Sequence, residues 1–451
     1  MYADVLIAGA GLAGLNAAAG LRECAPELCV RIVDAGGAAS SEIMGFSAPV
    51  APGDSPELFE YDILRSGGGC SDPELARTLA RNALPELHRL EALGICFDRK
   101  PDGGYDTIHA VGTSFPRVVH AGTTTGKQAM RLLASPVERR RVVRLLTGGG
   151  RIAGALFEDG SAIRAKAVIL AGGGFAGLWK FSTWSKHLRG DTLLPALGAG
   201  AELRDLGLIQ FEPTVTVYPE KLAGFPVITT TLHEGAQLLD RKGEPLLDPG
   251  EPVPAKRQLA ERIHRAIRDG RGTPHGGIRS DFSNVDEKRF ATRYPEYYNK
   301  FRQLAPSFRE LFFEVRPGAH TTLGGIRIDE HCATGIPGLF AAGEAAGGLH
   351  GRDRIGGNAG LEVFVFGRIA GKSAAEYAKS APAPESSGDA ALPASTPEAV
   401  YAAIADILDG CFPVIADEPH LREGVARLAG LPEYPAVRLA KRIFSDALQA
   451  L

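Results

Sequence analysis

The chain has 451 residues, which is enough for about two or three domains with well-buried cores. Hydrophobic residues make up 44% of it and charged residues 23%, the proportions of an ordinary globular protein. The formal net charge of −3 gives no electrostatic reason to expect nucleic acid or an anionic membrane as a partner. No apolar run approaches the ~18–20 residues that span a bilayer, so we expect no membrane span.

The N-terminus enters an apolar run at residues 4–8 directly, which leaves no room for a signal peptide and predicts a cytoplasmic protein. The cysteines do not form a CxxC, CxxCH or ferredoxin-like cluster. We therefore expect reduced, mostly buried thiols and neither an iron–sulfur centre, a c-type haem nor a metal site on this chain. The six cysteines are Cys24, Cys29, Cys70, Cys96, Cys332 and Cys411.

A nucleotide-binding pattern opens the chain. The apolar run at 4–8 predicts a strand, a helical stretch reaches about Leu21, and residues 30–33 predict a second strand. Between the first strand and the helix stands GxGxxG, and an acidic residue follows its last glycine by 20 residues. These residues are Gly9, Gly11, Gly14 and Asp34.

The glycines permit a tight turn and a close approach of the backbone to a pyrophosphate, and the acid accepts hydrogen bonds from ribose hydroxyls. The pattern therefore predicts dinucleotide binding, the alternative being a Gly-rich strand–helix turn without a ligand. A second fingerprint is missing, because the triple glycine at 172–174 has no acid at the right distance. That argues against NAD(P)H as a direct partner.

The middle of the chain changes character twice. Residues 151–174 predict a β-meander that ends in the apolar strand before the triple glycine, and residues 193–202 predict a helix. From 212 to 317 the sequence is rich in short strands, turns and charged helix, which indicates an inserted domain. Its clearest helix, predicted over 255–268, places Leu259, Ile263 and Ile267 on one face.

We divide the chain accordingly into a first part of the nucleotide-binding domain at 1–211, the insertion at 212–317, and the second part of that domain at 318–380. Residues 381–396 form a Pro/Ala/Ser linker without a core-forming pattern. Residues 397–451 predict two or three further helices.

The segment 315–371 is the most informative part of the chain. It contains a His beside a Gly-Gly turn, an apolar strand ending in Gly343-Glu344, a basic loop from His350 to Arg354, and a Gly-Gly-Asn that opens a helix. This order resembles the flavoprotein family of succinate dehydrogenase, fumarate reductase and L-aspartate oxidase, whose pattern is roughly HYTMGG, GLFAAGE, HGANRLGGN and VFGRxAG.

The resemblance implies an α/β fold. Its parts are a Rossmann-like FAD-binding domain of parallel sheet plus β-meander, an inserted α+β capping domain and a short C-terminal helical region. It also implies one kind of chemistry, a two-electron oxidation or reduction next to a carboxylate, with FAD as the cofactor.

By the same resemblance, a set of residues is expected at the flavin. The GxGxxG glycines and the acid would bind the ADP half, and a helix N-terminus near the pyrimidine edge of the ring would stabilise negative charge there by ~1 kcal/mol. The alternative for His120 is an ordinary core histidine, and for Glu344 a surface acid. The expected cofactor residues are Gly9, Gly11, Gly14, Asp34, Ser40, Ser41, His120, Ala121, Thr125, Gly126, Gly172, Gly173, Asp191, Glu344, Gly357 and Asn358.

Members of the family that attach FAD covalently use a His just after the Gly/Ser loop. Here the loop continues as Ser40-Ser41-Glu42-Ile43, and the first histidine of the chain is His88. We therefore expect noncovalent FAD, which argues against a true succinate dehydrogenase.

The substrate site departs from the resemblance. His320 and Arg354 match the family's carboxylate clamp, although Arg354 is alternatively a structural residue paired to Asp353 or Glu362. The other two family contacts, a His in FHPT and a Thr in TEG, are replaced by Glu212 and His233.

A Glu repels a second substrate carboxylate in a desolvated pocket, so we expect a substrate other than fumarate or succinate. We expect Glu212 and His233 to form a hydrogen-bonded pair that binds an amine, hydroxyl or amide, or that acts as catalytic base and acid. The alternative is that both belong to a structural network.

Proton delivery also differs from the family pattern. The Arg of the reductases' APRD string corresponds to Lys256 or Arg257, so one of these is the candidate acid. The relay Glu-x-x-Arg corresponds to Glu234 with Gln237 in place of the Arg. A Lys exchanges protons near neutral pH more readily than an Arg, because burial lowers its pKa. The alternative is that both cations are solvated at the start of a surface helix.

The sequence supports three functional hypotheses. The first is hydride transfer between flavin N5 and a carbon near a carboxylate of a small organic acid, as C=C reduction or C–C dehydrogenation, with a separate electron-transfer protein, a quinone or oxygen as the redox partner. The second is an amine or amino-acid oxidase like L-aspartate oxidase. The third is a noncatalytic FAD-binding subunit of a larger redox complex.

Overall fold

The computed structural model describes residues 1–37, 39–110, 112–184, 186–384, 392–415 and 417–451. The predicted linker at 381–396 lies partly outside these residues. Two large hydrophobic clusters organise the described chain, one around the main sheet and one within residues 227–315.

The strands are, in chain order, β1 Tyr2–Ala8, β2 Val30–Asp34, β3 Gly45–Ser47, β4 Thr107–Ile108, β5 Val118–His120, β6 Glu138–Arg139, β7 Val142–Gly148, β8 Arg151–Phe157, β9 Ala162–Leu170, β10 Leu203–Arg204, β11 Ile209–Tyr218, β12 Gln237–Leu239, β13 Ile278–Asp281, β14 Phe312–Thr322, β15 Gly325–Arg327, β16 Leu339–Ala341 and β17 Ala346–Gly347.

The α-helices are α1 Leu12–Cys24, α2 Pro56–Ser66, α3 Pro73–Ala92, α4 Thr125–Leu132, α5 Leu193–Gly198, α6 Thr230–His233, α7 Lys256–Ala266, α8 Glu287–Arg293, α9 Pro295–Arg302, α10 Asn358–Ser380, α11 Glu398–Cys411, α12 Glu418–Ala429 and α13 Pro435–Gln449.

The largest sheet has the strand order β6-β2-β1-β9-β8-β7, with β16 also paired to β9. The first strands run parallel, with Ile7 of β1 beside both Ile32 and Ile169, and their side chains are buried. Strands β7, β8 and β9 run antiparallel and form the predicted meander. Apolar side chains on both faces are what a parallel sheet covered by helices requires.

Helices α1 and α10 cross at very short range beside this sheet. A Cβ placed on Gly367 would lie 2.5 Å from the carbonyl oxygen of Ala13, and one on Gly371 would lie 1.9 Å from that of Ala17. Any side chain at these positions would push the helices apart. The glycines of the VFGRxAG motif are therefore needed for packing.

The inserted region forms its own layer. Its sheet has the order β11-β14-β13-β12, and α7 packs against β11 and β14. The buried members of its core all come from between Val227 and Val315, and a cluster of phenylalanines dominates it, including Phe282, Phe290 and Phe301. The insertion therefore buries an aromatic core separate from that of the main sheet.

The last three helices, α11 to α13, pack against the FAD-binding part. The Phe412 ring contacts Trp179 edge to face at 5.6 Å, and Asp446 accepts a hydrogen bond from the backbone N–H of Leu206 at 3.1 Å. Across the described residues, helices combining the length and the hydropathy for a bilayer crossing are absent.

The predicted fold class is confirmed, with differences in detail. The helix predicted over 255–268 begins at Lys256 and, after Ala266, widens into a π-turn that ends where Gly270 adopts a positive φ of 76°. The helix predicted over 193–202 is α5, which ends at Gly198. The expectation of mostly buried thiols is wrong, because among the six cysteines only Cys332 and Cys411 are buried.

Candidate active site

The GxGxxG turn joins β1 to α1. A Cβ on Gly14 would lie 1.9 Å from the carbonyl oxygen of Gly9, so the turn closes only with glycine there. Asp34, at the end of β2, accepts a hydrogen bond from the backbone N–H of Ala10 at 3.1 Å. The carboxylate thereby lies beside the start of α1, where the sequence pattern expects a ribose.

The loop after β2 reaches the same helix terminus. The Ser40 hydroxyl accepts a hydrogen bond from the Leu12 N–H at 2.9 Å, and so satisfies one of the free donors at the start of α1. The Ser41 hydroxyl instead donates to Glu42 at 3.1 Å. Gly11 packs closely against Ser40, because a Cβ on Gly11 would lie 3.1 Å from the Ser40 hydroxyl oxygen. The loop therefore folds back onto the glycine turn.

A second loop lies next to this one. His120 Nδ1 is 2.8 Å from Asp98 Oδ2, and the Ala121 N–H donates to the Thr125 hydroxyl at 2.9 Å. The Gly126 N–H donates to the Ile43 carbonyl at 2.8 Å, which ties the loop to the serine segment. His120 thus has a carboxylate partner, which sequence reasoning missed.

Behind the meander, a Cβ on Gly172 would lie 2.5 Å from the Thr192 side chain, and Gly173 adopts a φ of 76°. Asp191 pairs with Arg141, and burial raises the pKa of this carboxyl above its ordinary value. The structure therefore gives Asp191 a protein partner, the Arg141 guanidinium.

Glu344 follows β16 and faces β14. Its Oε1 accepts hydrogen bonds from the Thr322 N–H at 2.9 Å and the Thr322 hydroxyl at 3.1 Å. Burial raises the pKa of Glu344 to about 7, because these two hydrogen bonds only partly offset the loss of solvent around the carboxylate. The carboxylate of Glu344 is therefore buried, and Glu344 is not the surface acid of the alternative.

Helix α10 begins at Asn358, just after Gly357, whose φ is 89°. A Cβ on Gly357 would lie 2.6 Å from the Ser47 hydroxyl, so the turn is closely packed against β3. Asn358 is 1% exposed, and in the described part of the chain neither its amide nitrogen nor its amide oxygen has a hydrogen-bond partner. An amide in that state points to a polar ligand at the helix N-terminus.

Arg354 lies in the basic loop before this turn. Its Nη2 donates to the Gln210 side chain at 2.8 Å and contacts the Thr321 hydroxyl at 3.4 Å, and its Nη1 donates to the Ile355 carbonyl at 3.3 Å. Its Nε is buried and has no hydrogen-bond partner among the residues that the structure describes. Burial lowers the pKa of Arg354 below its ordinary value. Neighbouring carboxylates, Glu344 most strongly, raise this pKa but do not offset the effect of burial. The guanidinium therefore has an unmet requirement for an anion.

His320 projects from β14 near this loop. Its Nδ1 is 2.8 Å from the Thr183 hydroxyl, and its ring stacks on Trp184 with centroids 5.4 Å apart. The segment 181–183 is held there by backbone hydrogen bonds to Ala319. Burial and then the charges of Lys256 and Arg354 hold the pKa of His320 well below its ordinary range. At neutral pH the imidazole is therefore uncharged, with one N–H to donate.

Lys256 is the first residue of α7, and its Nζ lies 2.5 Å from Oε2 of Glu212 on β11. The Glu212 side chain is 3% exposed, and none of the described residues donates a hydrogen bond to its Oε1. A cation at a helix N-terminus opposes the helix dipole, and a carboxylate there is favourable. Glu212 therefore stabilises Lys256 at an otherwise unfavourable position.

These groups converge. Arg354 contacts Thr321, the residue after His320 on β14, and Gln210, two residues before Glu212 on β11, while Lys256 bonds to Glu212. The site thus combines two cations, an uncharged imidazole and a carboxylate, with free hydrogen-bonding atoms on Arg354 and Glu212. That combination suits a carboxylate-bearing molecule that also presents a hydrogen-bond donor.

The remaining predicted residues lie differently. Glu234 accepts from Arg289 Nε at 2.8 Å and from Arg293 Nη1 at 2.6 Å on α8, so the predicted relay from Glu234 to Lys256 is not formed. His233 is exposed, and Glu212 pairs with Lys256. The predicted hydrogen bond between Glu212 and His233 is therefore wrong.

Arg257 donates to Glu261 at 3.2 Å, one turn along α7, and 58% of its side chain is exposed. It matches the alternative of a solvated charge. The alternative for Arg354 was an ion pair with Asp353 or Glu362. The described residues do not form it, because Asp353 accepts from Gln210 at 2.9 Å and Glu362 pairs with His350 at 3.0 Å.

Sequence reasoning missed four residues of the site, which are Gln210, Thr183, Trp184 and Asp98. Gln210 could have been found from the sequence, because it stands two residues before Glu212 in the segment LIQFEPT. Alternate residues of a strand lie on the same face, so a strand there places both side chains together. The other three lie far along the chain from the residues they contact, so the fold alone brings them together.

Comparison with known proteins identifies the family. The sequence profile of the FAD binding domain family matches residues 4–359. A fumarate reductase (CoM/CoB) subunit of Methanothermobacter marburgensis is 35% identical over 401 residues, 84% of this chain and 73% of that protein. L-aspartate oxidase of Caulobacter vibrioides is 32% identical over 392 residues, 82% of this chain and 76% of that protein.

The solved structure of Mycobacterium smegmatis Sdh1 has a TM-score of 0.84 and 29% identity, covering 99% of this chain and 85% of that one. The site residues fit FAD, since the glycine turn, the acid at Asp34 and the unpartnered amide of Asn358 offer groups suited to its phosphates, ribose and ring. The chain therefore belongs to the flavoprotein family of fumarate reductase and L-aspartate oxidase, and it is an FAD-dependent oxidoreductase.

Proposed function

We propose that the protein reduces a C=C bond, or dehydrogenates the corresponding C–C bond, next to a carboxylate of a small organic acid. The observation that carries this proposal is that Arg354, His320 and Lys256 lie on or against β11 and β14, with the Arg354 Nε buried and unpartnered among the described residues. FAD, when bound, supplies the two-electron transfer; the residues of the chain bind, orient and exchange a proton with the substrate.

Arg354 is suited to bind the carboxylate. A charge-assisted hydrogen bond from a buried guanidinium contributes ~1.5–3 kcal/mol, and the site already holds the guanidinium in place through Gln210 and Thr321. His320, being uncharged, adds a hydrogen bond without adding charge. A carboxylate held by both is fixed in orientation, which is the main requirement for a reaction on its neighbouring carbon.

Lys256 is the proton-exchanging group in this proposal. It begins α7 in the inserted region and donates a hydrogen bond to Glu212, so a proton can pass between the substrate carbon and Nζ while Glu212 keeps the amine oriented. Arg257 is a weaker candidate for this role, because its guanidinium pairs with Glu261 one turn along α7 rather than with Glu212.

Glu212 limits the substrate class. Its free Oε1 is a buried acceptor, which requires a donor and repels a second carboxylate. We infer that the substrate carries one carboxylate and, at its far end, a hydroxyl, amide or amine. Simple dicarboxylates such as fumarate and succinate do not meet this requirement.

Oxidation of an amino acid is the second candidate, and the same oxygen favours it. A carboxylate acceptor in a buried site is a natural partner for a substrate ammonium group. L-aspartate oxidases are among the relatives at 32% identity. Release of peroxide from amino acids, without reduction of any alkene, would support this reading over the first.

The redox partner is also a proposal. Because the first histidine of the chain is His88, no histidine stands just after the Gly/Ser loop, and FAD is expected to be bound noncovalently. Electrons then pass to or from a separate protein, a quinone or oxygen. A protein that retains FAD but exchanges electrons with no small acid would instead be a flavin-binding subunit of a larger complex.

The test is a spectral screen of the flavin. Purified oxidised holoenzyme is mixed with saturated monocarboxylates, saturated dicarboxylates and amino acids, and the chemically reduced enzyme is mixed with the unsaturated acids, while absorbance reports the flavin oxidation state. We expect monocarboxylates with a second polar group to change it, and Arg354→Met to abolish the response. A response confined to dicarboxylates, or one that survives in Arg354→Met, contradicts the proposal.

A further inference from the structure

Gln210 is buried between two charged neighbours. It lies on β11 directly opposite Thr321 of β14, and only 9% of it is exposed. Its Nε2 donates to Asp353 Oδ1 at 2.9 Å and to the Arg354 carbonyl at 3.0 Å, while its Oε1 accepts from Arg354 Nη2 at 2.8 Å. One neutral amide therefore bonds both an acid and the cation that follows it in sequence.

This arrangement explains why the Arg354 guanidinium is unpaired. Asp353 is its neighbour in the chain, and a buried cation beside a carboxylate ordinarily forms an ion pair. Here the Asp353 carboxylate accepts from the Gln210 amide instead. In the described part of the chain, Arg354 forms no ion pair with a carboxylate. A protein carboxylate on the guanidinium would compete with an anionic ligand for the same donors.

We propose that Gln210 is a positioning residue that holds Asp353 away from the Arg354 guanidinium and so keeps its Nε donor available to an anion. Only an uncharged group with both donors and an acceptor performs this task. A Glu at this position would itself pair with Arg354, and a Leu would release both neighbours. The proposal rests on the proposed function only in taking the anion to be the substrate carboxylate.

The binding experiment uses acetate as the probe and the flavin absorbance of the holoenzyme as the readout, after flavin content per chain has been checked. We expect Gln210→Leu to raise the Kd for acetate by about tenfold or more, since a charge-assisted hydrogen bond is lost to Asp353. In Gln210→Leu/Asp353→Asn the competing charge is gone, and Kd should return to within about threefold of wild type. Asp353→Asn alone serves as the matched control and should bind acetate as wild type does.

A merely structural role of Gln210 would not be rescued by Asp353→Asn. Equal acetate affinity in Gln210→Leu and wild type, or a double variant as weak as the single one, would overturn the proposal. Gln210→Met, with a side chain of similar length, replaces the Leu variant if that one fails to retain FAD.

A crystal structure of the Gln210→Leu holoenzyme separates this proposal from the proposed function. We expect an Asp353 oxygen within about 4 Å of an Arg354 nitrogen there, the range of an ion pair. If Asp353 stays apart, the positioning role is refuted. If the pair forms but wild type and Arg354→Met bind acetate equally well, the carboxylate clamp is what fails.

Discussion

Lys256 Nζ on the cap lies 2.5 Å from Glu212 Oε2 on the strand that leads into the cap. The pair leaves Glu212 Oε1 without a partner, and the Lys256 side chain remains 44% exposed. An amine that is held by a buried carboxylate on one side and remains accessible on the other is suited to exchange a proton with a bound molecule.

Replacement of Lys256 should reduce turnover. For the substrate that the spectral screen identifies, we expect Lys256→Met to lower kcat by roughly 10²–10⁴, the usual contribution of a general acid or base. Arg257→Met is the matched control, because that side chain is solvated and, within the described part of the chain, bonds to Glu261 along its own helix. Stopped-flow flavin reduction measures both, and equal losses in the two variants would contradict the assignment.

Glu212→His should admit dicarboxylates. The substitution removes a negative charge and restores the residue that the family pattern has in FHPT. We expect fumarate or succinate to perturb the flavin spectrum of the variant and not that of wild type. A variant that stays indifferent to both acids, while still binding FAD, would show that Glu212 does not determine specificity.

Arg354→Lys should fail to rescue carboxylate binding. A lysine keeps a positive charge but loses the planar set of N–H donors that Gln210 and Thr321 orient. We expect KM to rise by about tenfold to a hundredfold. KM in the variant within a factor of about two of wild type would imply a purely long-range role for the charge.

Glu344 should make the stability of the FAD-free protein depend on pH. Its pKa is about 7 in the folded protein against an ordinary value of 4.5, because its carboxylate is buried. The folded state then binds more protons than the unfolded state between these two pH values, so stability falls as pH rises from 4.5 to 7. The expected loss is on the order of 3 kcal/mol.

Urea unfolding of the FAD-free protein at several pH values measures this effect. Glu344→Gln keeps the size of the side chain and removes the titration, so the variant should lose that part of the pH dependence and gain relative stability at pH 7. Parallel pH profiles in the two proteins would contradict a buried, titrating Glu344.

Much of the fold follows from local patterns. The glycine turn, the meander and the α7 face could be predicted because each depends on residues close together in sequence. The boundaries of α5 and α7 were less predictable. Helix α7 changes to a π-turn at Ile267, since Gly270 adopts a backbone conformation that ends the helix.

The site could be predicted only as a set of residues. His320, Arg354, Glu212 and Lys256 were found by their places in motifs, but the bond between Lys256 and Glu212 depends on how α7 packs on β11. Glu234 pairs with Arg289 and Arg293 because α8 lies beside it, which no spacing in the sequence indicates.

The two strands that connect the insertion to the rest of the chain have a consequence for chimeric enzymes. β11 and β14 run as one antiparallel ribbon from the main body into the insertion, with Gln210 facing Thr321 near its base and Glu212 facing Gly318 further along. A chimera that exchanges only the segment beyond Glu212 with a relative would replace Lys256 but keep its carboxylate partner. A change of specificity that alters Lys256 therefore requires a matched change at Glu212, which lies on the other side of the point of exchange.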